Sequence, residues 1–294
     1  MIPKIIHYCW FGGNPLPDLA MKCIDSWKKY FPDYEIKEWN ETNFNLDCCD
    51  YVKEAYDCKK WAFVSDYARF WILYNYGGLY FDTDVEVIKS FDDILSSGGF
   101  MGQEVYIAPD ENITKKTYSK KTLNEINNLS SGIAVAPGLG IAVAPGLKLY
   151  KEILELYNTL HFIKNGEIDE TTVCVYTTNI LKKYGYDEKK EEIQCVAGIT
   201  VYPPEYLCPL NYKSGEIILT DNTHTIHWYG ASWKSSFDIK MSEKRRVYIN
   251  KYGQKKGIIY FKMVIIPDKI RRVITERGIP GAFWFIIKKI KNLI

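Results

Sequence analysis

The sequence lacks several patterns that would assign a protein class at once. None of its eight cysteines forms a Cys-x-x-Cys pair, and the chain is longer than the small secreted domains held together by disulfides. No stretch reaches the roughly 18 uncharged apolar residues of a spanning helix. The first residues, MIPKII, lack the long apolar stretch of a signal peptide. These absences argue against a zinc ribbon, a disulfide scaffold and a spanning protein, and favour a reducing, cytoplasmic compartment.

The charge is unevenly distributed along an otherwise ordinary globular composition. Hydrophobic residues make up 47% and charged residues 25% of the 294 residues, which suffices for one large domain or two small ones. After residue 239 there are fifteen Lys or Arg and three acids, a net of +12, which leaves −10 for residues 1–239 because the total is +2. This asymmetry predicts a catalytic body over residues 1–239 and a basic region over 240–294 with an anionic partner.

The first segments predict an α/β fold. Residues 4–10 form an apolar run, residues 18–30 carry apolar side chains at helical spacing, and residues 34–39 alternate as a second strand. Strand, helix and strand in such quick succession are typical of α/β domains. Tyr8 and Trp10 lie near the C-terminal end of the first strand, where such sheets bind ligands, although core packing is the alternative for Trp10.

Two carboxylates emerge at the end of a short apolar strand in residues 77–85, GGLYFDTDV. Residues i and i+2 of an extended backbone point to the same side, so Asp82 and Asp84 can face one cation. Hard oxygen ligands beside an open loop suit Mg²⁺ or Mn²⁺ that also binds the oxygens of a phosphorylated substrate. For an Asp-x-Asp motif by itself, a solvated turn is the alternative.

A long helix is predicted immediately before this motif, over residues 59–76. Asp66 and Arg69 are three residues apart, on neighbouring positions of one face. They could form a structural ion pair, or present a carboxylate and N–H donors to sugar hydroxyls or phosphate. An enzyme that cleaves a sugar–diphosphate bond needs a cation to stabilise the departing nucleotide. Asp82 and Asp84 can hold that cation, Asp66 and Arg69 can hold the sugar, and an aromatic ring of the first strand can stack on the base.

Two features of the later chain stand apart. Gly132–Leu139 reads GIAVAPGL and residues 140–147 repeat it, which predicts one copy paired in the sheet and the other displaced as an insertion. Residues 257–294 combine apolar runs with lysines, as in PGAFWFIIKKIKNLI. Such a segment suits the membrane interface, where anionic lipid attracts the cations, although docking on the protein's own core is the alternative. We predict peripheral binding to the inner face of the cell membrane through residues 257–294, and no nucleic-acid partner.

Four stretches resemble glycosyltransferase family 32, the DXD group that includes initiating mannosyltransferases and bacterial capsule and exopolysaccharide transferases. More distantly they resemble the glucosylating domain of clostridial toxins. The resemblance covers residues 1–105 and 223–233 and is weak between them. It is carried by IPKIIHYCWFGG, SWKKYFPDYEIKEWNE, KKWAFVSDYARFWILYNYGGLYFDTDVEV and IHWYGASW. It implies a GT-A fold, Rossmann-like with a mixed central sheet and added helices, a nucleotide-sugar donor, Mn²⁺ or Mg²⁺, and retention of anomeric configuration.

By position, the resemblance implies that Asp84 is the direct metal ligand and that Asp82 contacts the ribose and sugar and faces the same metal. Asp66 and Arg69 match contacts to the donor sugar. Trp10, beside Tyr8, matches the ring that stacks on the base. His227 matches a late metal ligand, and Ser232 and Trp233 match contacts to the diphosphate. For two-step retention a carboxylate nucleophile is needed, and Glu104 is a guess. A front-side mechanism, with the departing phosphate as base, needs none.

The predicted function is therefore that of a retaining glycosyltransferase that moves a sugar from a UDP- or GDP-sugar to a glycan or lipid-linked acceptor in surface polysaccharide synthesis. An Asp-x-Asp phosphatase is one alternative, but its chemistry requires Thr or Val two residues after the second Asp, where this chain has Glu86. The other is a membrane-docked nucleotide-sugar binding module without turnover. The intact set of Asp66, Arg69, Asp82 and Asp84 argues against such a loss of activity.

Overall fold

The computed structural model describes most of the chain. Described are residues 1–105, 133–212, 215–230 and 236–253, and positions 256, 257, 259–268, 271, 274 and 275, with the side chains of 236–239, 242, 243, 246 and 250 left out. These residues form two compact units: Met1–Asn211 with Ile217–Trp233, and Tyr212–Glu216 with Lys234–Ile294. The Ser232 and Trp233 predictions lie outside the described residues, and the boundary between residues 239 and 240 stays a prediction.

The first unit holds twelve described strands and seven described helices. The strands are β1 (Ile5–Cys9), β2 (Glu35–Trp39), β3 (Gly78–Tyr80), β4 (Val85–Val87), β5 (Phe100–Val105), β6 (Ile133–Val135), β7 (Ile141–Val143), β8 (Ile163–Lys164), β9 (Glu167–Ile168), β10 (Gln194–Val196), β11 (Ile199–Tyr202) and β12 (Thr225–His227). The helices are α1 (Asp18–Tyr30), α2 (Asp50–Asp57), α3 (Trp61–Tyr76), α4 (Asp92–Ser96), α5 (Lys148–Tyr157), α6 (Val173–Lys183) and α7 (Pro204–Leu207). A 3₁₀ turn covers Pro137–Leu139.

Eight of these strands form a mixed central sheet in the order β10-β11-β5-β7-β3-β1-β2, with β6 paired to β5. The strand β1 runs parallel to β2 and β3, whereas β7 runs antiparallel to both β3 and β5. Two small antiparallel pairs, β4 with β12 and β8 with β9, lie outside this sheet. The α/β fold with a mixed central sheet and added helices, predicted from the sequence, is confirmed.

The first helix packs beside the sheet as its apolar spacing predicts. Cys23 and Trp27 of α1 are fully buried, and the Trp27 indole N–H donates to the Val85 carbonyl oxygen at 2.8 Å. The Trp27 ring also lies against Phe81, with centroids 5.5 Å apart. These contacts anchor the chain on both sides of the Asp-x-Asp segment, since Phe81 precedes it and Val85 follows it.

A glycine pair turns the chain sharply from α3 into β3. Gly77 and Gly78 have φ values of +65° and +99°, a region that side chains other than glycine rarely adopt. There is also no room for a Cβ atom: at Gly78 it would lie 2.6 Å from the Ile5 carbonyl oxygen, and at Gly77 2.7 Å from Pro145. This tight reversal lets Arg69, inside the helix, meet the carboxylate that follows β3.

Both copies of the repeated octapeptide pair in the sheet, so the prediction of a displaced copy is wrong. The first copy contributes β6, opposite Gln103–Val105 at the end of β5, and the second contributes β7, opposite Phe100 at its beginning. The 3₁₀ turn lies between them. The six residues of β5 are enough for both copies to pair with it. Because the repeat has an even number of residues and side chains alternate between the two faces of a sheet, equivalent residues of the two copies can point to the same face.

The second unit contains one long described helix, α8 (Ser236–Tyr252), followed by helical positions up to residue 275. Several apolar side chains of residues 259–266 are more than half exposed: Ile259, Met263 and Ile266. Among the described residues, no helix combines the length and the apolar character needed to cross a bilayer.

Candidate functional site

Asp82 is held tightly at the end of β3 by three neighbours. Its Oδ1 atom lies 3.0 Å from Nη2 of Arg69 and accepts a hydrogen bond from the Tyr80 hydroxyl at 3.0 Å. Its backbone N–H donates to the Gly138 carbonyl oxygen at 3.0 Å, and a Cβ atom on Gly138 would lie only 2.0 Å from Oδ2. Burial raises the pKa of Asp82, and Arg69 opposes that rise. The carboxylate is therefore fixed in place, with little room to move.

Arg69 links this carboxylate to Asp66. Its Nη2 atom lies 3.1 Å from Asp66 Oδ1, and the residues are 3% and 8% exposed. Burial raises the pKa of Asp66 to about 7, although Arg69 opposes the rise. Burial would lower the pKa of Arg69, but Asp82 and the neighbouring groups raise it well above its ordinary value, so the guanidinium stays charged. One guanidinium thus holds the buried Asp66 carboxyl group and the partly exposed Asp82 carboxylate, and the i, i+3 spacing predicts the first of these contacts.

The Arg69 side chain has one donor that its two carboxylate partners leave unpaired. Its Nε atom is buried and has no hydrogen-bond partner among the described residues. A guanidinium carries five N–H donors in a rigid fork, and the two carboxylates use Nη2. The structure thus confirms the ion pair of Asp66 and Arg69, and contact of the pair with a substrate stays a prediction.

Asp84 has a different set of partners. The prediction of an extended backbone through Asp82 and Asp84 is wrong, because Thr83 and Asp84 form a turn in which the Val85 N–H donates to the Asp82 carbonyl oxygen at 3.0 Å. The Asp84 Oδ2 atom accepts the Gly230 N–H at 2.7 Å, and its Oδ1 atom lies 3.3 Å from Nε2 of His227. Burial alone would raise the pKa of Asp84, but His227 and the Gly230 N–H lower it below its ordinary value. Of the two carboxyl groups, Asp84 is therefore the one that ionises more readily.

His227 reaches Asp84 because β12 pairs with β4, where His227 stands opposite Val85. Burial would lower the pKa of His227, yet Asp84 raises it well above its ordinary value. The pair therefore has the charges of an imidazolium and a carboxylate. A divalent cation bound between them would displace the imidazolium proton, because a histidine ligand must be neutral.

These donor groups fit a divalent cation of the Mn²⁺ or Mg²⁺ class. Two ligands of one octahedral ion lie about 3 Å apart, because each bond is about 2.1 Å long and neighbouring bonds meet at right angles. The 3.3 Å between Asp84 Oδ1 and His227 Nε2 matches this spacing. The ligand types also fit, because Mn²⁺ prefers carboxylate oxygen and imidazole nitrogen to thiolate sulfur.

The two rings of the first strand have different exposures. Tyr8 is 7% exposed, donates its hydroxyl to Glu38 at 2.7 Å and packs on Trp27. Burial raises the pKa of the Tyr8 hydroxyl, and Glu38 adds to the rise. Trp10 keeps part of its surface exposed, and its indole N–H donates to the Asn14 carbonyl oxygen at 2.6 Å. Of the two rings, Trp10 is the more accessible to a base, and Tyr8 belongs to the core.

Several residues around the site were missed in the sequence. Tyr80 could have been found, because alternation along a strand puts residues 80 and 82 on the same side. Gly138 and the N–H of Val173, which donates to Asp66, carry no local signal, since their roles depend on neighbours far along the chain. The same holds for the buried surroundings of Glu104, which lies near His227 in the folded chain.

The family comparison matches the region that contains four of these residues. Residues 17–100 match the model of a glycosyltransferase sugar-binding region containing a DXD motif. That segment includes Asp66, Arg69, Asp82 and Asp84. The resemblance to a DXD glycosyltransferase family, recognised in the sequence, is confirmed.

Curated relatives give the same indication over a similar segment. Inositol phosphoceramide mannosyltransferase 3 of Schizosaccharomyces pombe is 31% identical over 102 residues, which cover 32% of this chain and 27% of that protein. Inositol phosphoceramide mannosyltransferase 1 of the same yeast is 28% identical over 111 residues, covering 34% and 33%. The uncharacterized glycosyltransferase L373 of Acanthamoeba polyphaga mimivirus is 34% identical over 110 residues, covering 34% and 42%. The chain thus matches less than half the length of each of these relatives.

Two solved structures match part of the chain. One is the PaToxG glycosyltransferase, with a TM-score of 0.42 and 19% identity over 62% of this chain and 69% of that chain. The other is a glycosyltransferase involved in glycosylation of the major capsid of PBCV-1, with a TM-score of 0.40 and 15% identity over 79% and 95%.

Proposed function

Because residues 17–100 carry the sugar-binding region of a DXD glycosyltransferase family, we propose that this protein is a metal-dependent glycosyltransferase that uses a UDP- or GDP-sugar as donor. The observation that carries the proposal is the pairing of two arrangements on one motif. The Asp66–Arg69–Asp82 row lies on one side of it, and the Asp84–His227 pair lies on the other. The first suits a sugar with its hydroxyls, and the second suits a cation with a diphosphate.

Each residue has a defined part in this proposal. Asp84 and His227 would hold a Mn²⁺ or Mg²⁺ ion, with Asp82 facing it, and that ion supplies positive charge to stabilise the departing nucleoside diphosphate. The Asp82 carboxylate, fixed by Arg69, accepts hydrogen bonds from hydroxyls of the donor. Trp10 stacks on the base, with Tyr8 packed beneath the same strand end, and Ser232 and Trp233 contact the diphosphate.

Transfer with retention of configuration is proposed to follow the front-side route. A two-step route needs an ionised carboxylate near the anomeric carbon. Burial raises the pKa of Glu104, although His227 and the hydrogen bonds from Cys174 and Tyr229 oppose the rise. A raised pKa favours the protonated form of a carboxyl group, which is a poor nucleophile, and this argues against a covalent intermediate on Glu104. The leaving phosphate then serves as the base that accepts the acceptor's proton.

The proposed acceptor is a glycan or a lipid-linked sugar in surface polysaccharide synthesis. The two yeast relatives are named for inositol phosphoceramide, a lipid, which supports a lipid-linked acceptor for this chain. The proposed location is the cytoplasm, at the inner face of the cell membrane.

The donor reaction can be tested by measuring release of UDP or GDP from a panel of nucleotide sugars. We expect release from one donor with Mn²⁺ or Mg²⁺, none with EDTA, and none from Asp84→Ala, which lacks a metal ligand. Asp25→Ala is the matched control, because Asp25 is an exposed α1 carboxylate paired with Lys28. Metal-independent release, or full activity of Asp84→Ala, would contradict the site assignment. Binding of a donor without release would favour the binding module, and release of phosphate from phosphomonoesters would favour the phosphatase.

Membrane binding through residues 257–294 is the second part of the proposal. Ile259, Met263 and Ile266 recur at helical spacing, and each exposes more than half of its surface. A helix that binds at the membrane interface carries apolar side chains of this kind along one face. Lys262, also exposed, lies among them.

The membrane proposal can be tested by co-sedimentation with phosphatidylglycerol vesicles and with neutral vesicles. We expect binding to the anionic vesicles, its loss when residues 257–294 are removed, and a strong reduction in the double variant Ile259→Asp/Met263→Asp. Val247→Asp is the matched control, since Val247 is 63% exposed on α8 and lies outside the segment. Unchanged sedimentation of the truncated chain would refute a membrane role for the segment.

A further inference from the structure

Two further side chains with metal-ligating atoms, Glu104 and Cys208, converge on His227. Glu104 comes from β5, Cys208 follows α7, and His227 is the last residue of β12. One potential ligand atom from each lies within 4.8 Å of the other two. Cys208 is 6% exposed, whereas Glu104 and His227 each keep part of their surface exposed.

A fourth side chain, Tyr229, ties the three together. Its hydroxyl lies 3.1 Å from Cys208 Sγ and donates to Glu104 Oε2 at 3.4 Å, and its ring centroid is 4.2 Å from that of His227. The Tyr229 backbone has a φ of +51°, a strained conformation for a bulky side chain. Such strain persists only where the surroundings enforce it, and it is concentrated at functional sites.

One polar atom of this cluster is buried without a partner. The Nδ1 atom of His227 is buried, and no described residue makes a hydrogen bond to it. The Glu104 carboxyl, which is partly exposed, accepts hydrogen bonds from the Tyr229 hydroxyl and the Cys174 thiol, each at 3.4 Å. A buried polar atom without a partner destabilises a fold, so the unpaired Nδ1 atom calls for an explanation.

We propose that Glu104, Cys208 and His227 form a second cation site, which takes a thiophilic ion of the Zn²⁺ class. Thiolate, imidazole and carboxylate are the three ligand types of zinc in proteins. A thiolate ligand disfavours Mg²⁺ and Mn²⁺, so this site and the Asp82/Asp84 site select different ions. Three protein ligands also leave the fourth tetrahedral position open to water.

Binding requires a small contraction of the cluster and the loss of protons. The ligands of one tetrahedral zinc lie about 3.5 Å apart, so ligand atoms up to 4.8 Å apart must approach by about 1 Å. The Cys208 thiol and the His227 Nδ1 atom release their protons to solvent on binding, and Glu104 binds as a carboxylate, since each ligand binds in its deprotonated form.

His227 belongs to both sites, and this gives the second site a regulatory consequence. With a cation on Nδ1, the imidazole keeps its proton on Nε2 and can only donate a hydrogen bond to Asp84. It is then lost as a ligand of the Mn²⁺ or Mg²⁺ ion. Zinc should therefore inhibit sugar transfer. This inhibition rests on the proposed function, whereas the binding of zinc is independent of it.

The binding half is tested with Co²⁺ as a spectroscopic probe on the full chain stripped with EDTA. We expect a thiolate-to-cobalt absorption band that one equivalent of Zn²⁺ abolishes, together with proton release into a weak buffer. Cys208→Ser, which keeps a hydroxyl near Tyr229, should remove the band and weaken Zn²⁺ binding by about 100-fold or more. Cys195→Ser, at an exposed position of β10, should behave as wild type. An unchanged band in folded Cys208→Ser, or no band in the wild type, would overturn the proposal.

The regulatory half is tested by titrating Zn²⁺ into the donor reaction at fixed Mn²⁺. Inhibition of the wild type and relief in Cys208→Ser, with Mn²⁺-dependent turnover retained, are the expected results. Equal inhibition of both proteins would overturn the regulatory effect. Absence of turnover with every metal, together with an intact cobalt band, would refute the proposed function while leaving the second cation site in place.

Discussion

The contact between Gly138 and Asp82 gives the sharpest prediction, because the repeated octapeptide supplies its own control. Gly138 and Gly146 occupy the same place in the two copies of GIAVAPGL. At Gly138 an added Cβ atom would lie 2.0 Å from Asp82 Oδ2, whereas at Gly146 it would meet nothing within 4 Å. The two Gly→Ala variants therefore add the same methyl group to identical local sequences, and only one of them meets the site.

The magnitude follows from the distances. Ordinary contact begins at 3.4 Å, so in Gly138→Ala the turn or the carboxylate must move by about 1.4 Å, which is 3.4 minus 2.0. Asp82 cannot yield freely, since Arg69 and the Tyr80 hydroxyl both hold Oδ1 at 3.0 Å. A displacement of about 1 Å at a reacting centre can cost about 100-fold in rate, and we expect a loss of that order in kcat/KM.

The assay is Mn²⁺-dependent release of nucleoside diphosphate from the best donor, with thermal unfolding measured on the same preparations. We expect Gly146→Ala to keep wild-type kcat/KM and to lose up to about 1 kcal/mol of stability, because its φ of +82° disfavours a side chain. Wild-type activity in folded Gly138→Ala, or equal losses of activity in the two variants, would refute the positioning of Asp82 by the first copy.

Two further predictions concern buried charge. Arg69→Lys should lower kcat/KM by about 100-fold with a smaller effect on folding, because one ammonium cannot reproduce the planar fork that meets both Asp66 and Asp82; near-wild-type kinetics would contradict this. Burial lowers the pKa of His7 to about 4, and the Trp39 indole N–H donates to its Nδ1 atom at 3.1 Å, which requires the neutral ring. Since the folded-state pKa lies below the unfolded value of 6.5, the unfolded chain binds more protons, and stability should fall by about 3 kcal/mol as pH falls from 6.5 to 4. Urea unfolding at several pH values checks this, and an equally steep decline in His7→Gln would count against it.

Much of the fold was predictable because its signals are local. Helix α1 runs from Asp18 to Tyr30 and β2 from Glu35 to Trp39, close to the bounds that apolar spacing predicts. The ion pair of Asp66 and Arg69 was likewise predictable, since residues three apart on a helix are neighbours. The placement of the second repeat was not, because pairing with β3 and β5 depends on strands that lie tens of residues away.

The sequence by itself therefore determined the α/β class, the helix that carries Asp66 and Arg69, and the short strand that precedes Asp82. Helical and strand periodicities operate over a few residues and can be read without partners. The tertiary structure alone decided that Gly138 packs on Asp82 and that Glu104, Cys208 and His227 meet. Those contacts join segments separated by dozens of residues, and strand order and burial, which no local pattern encodes, bring them together.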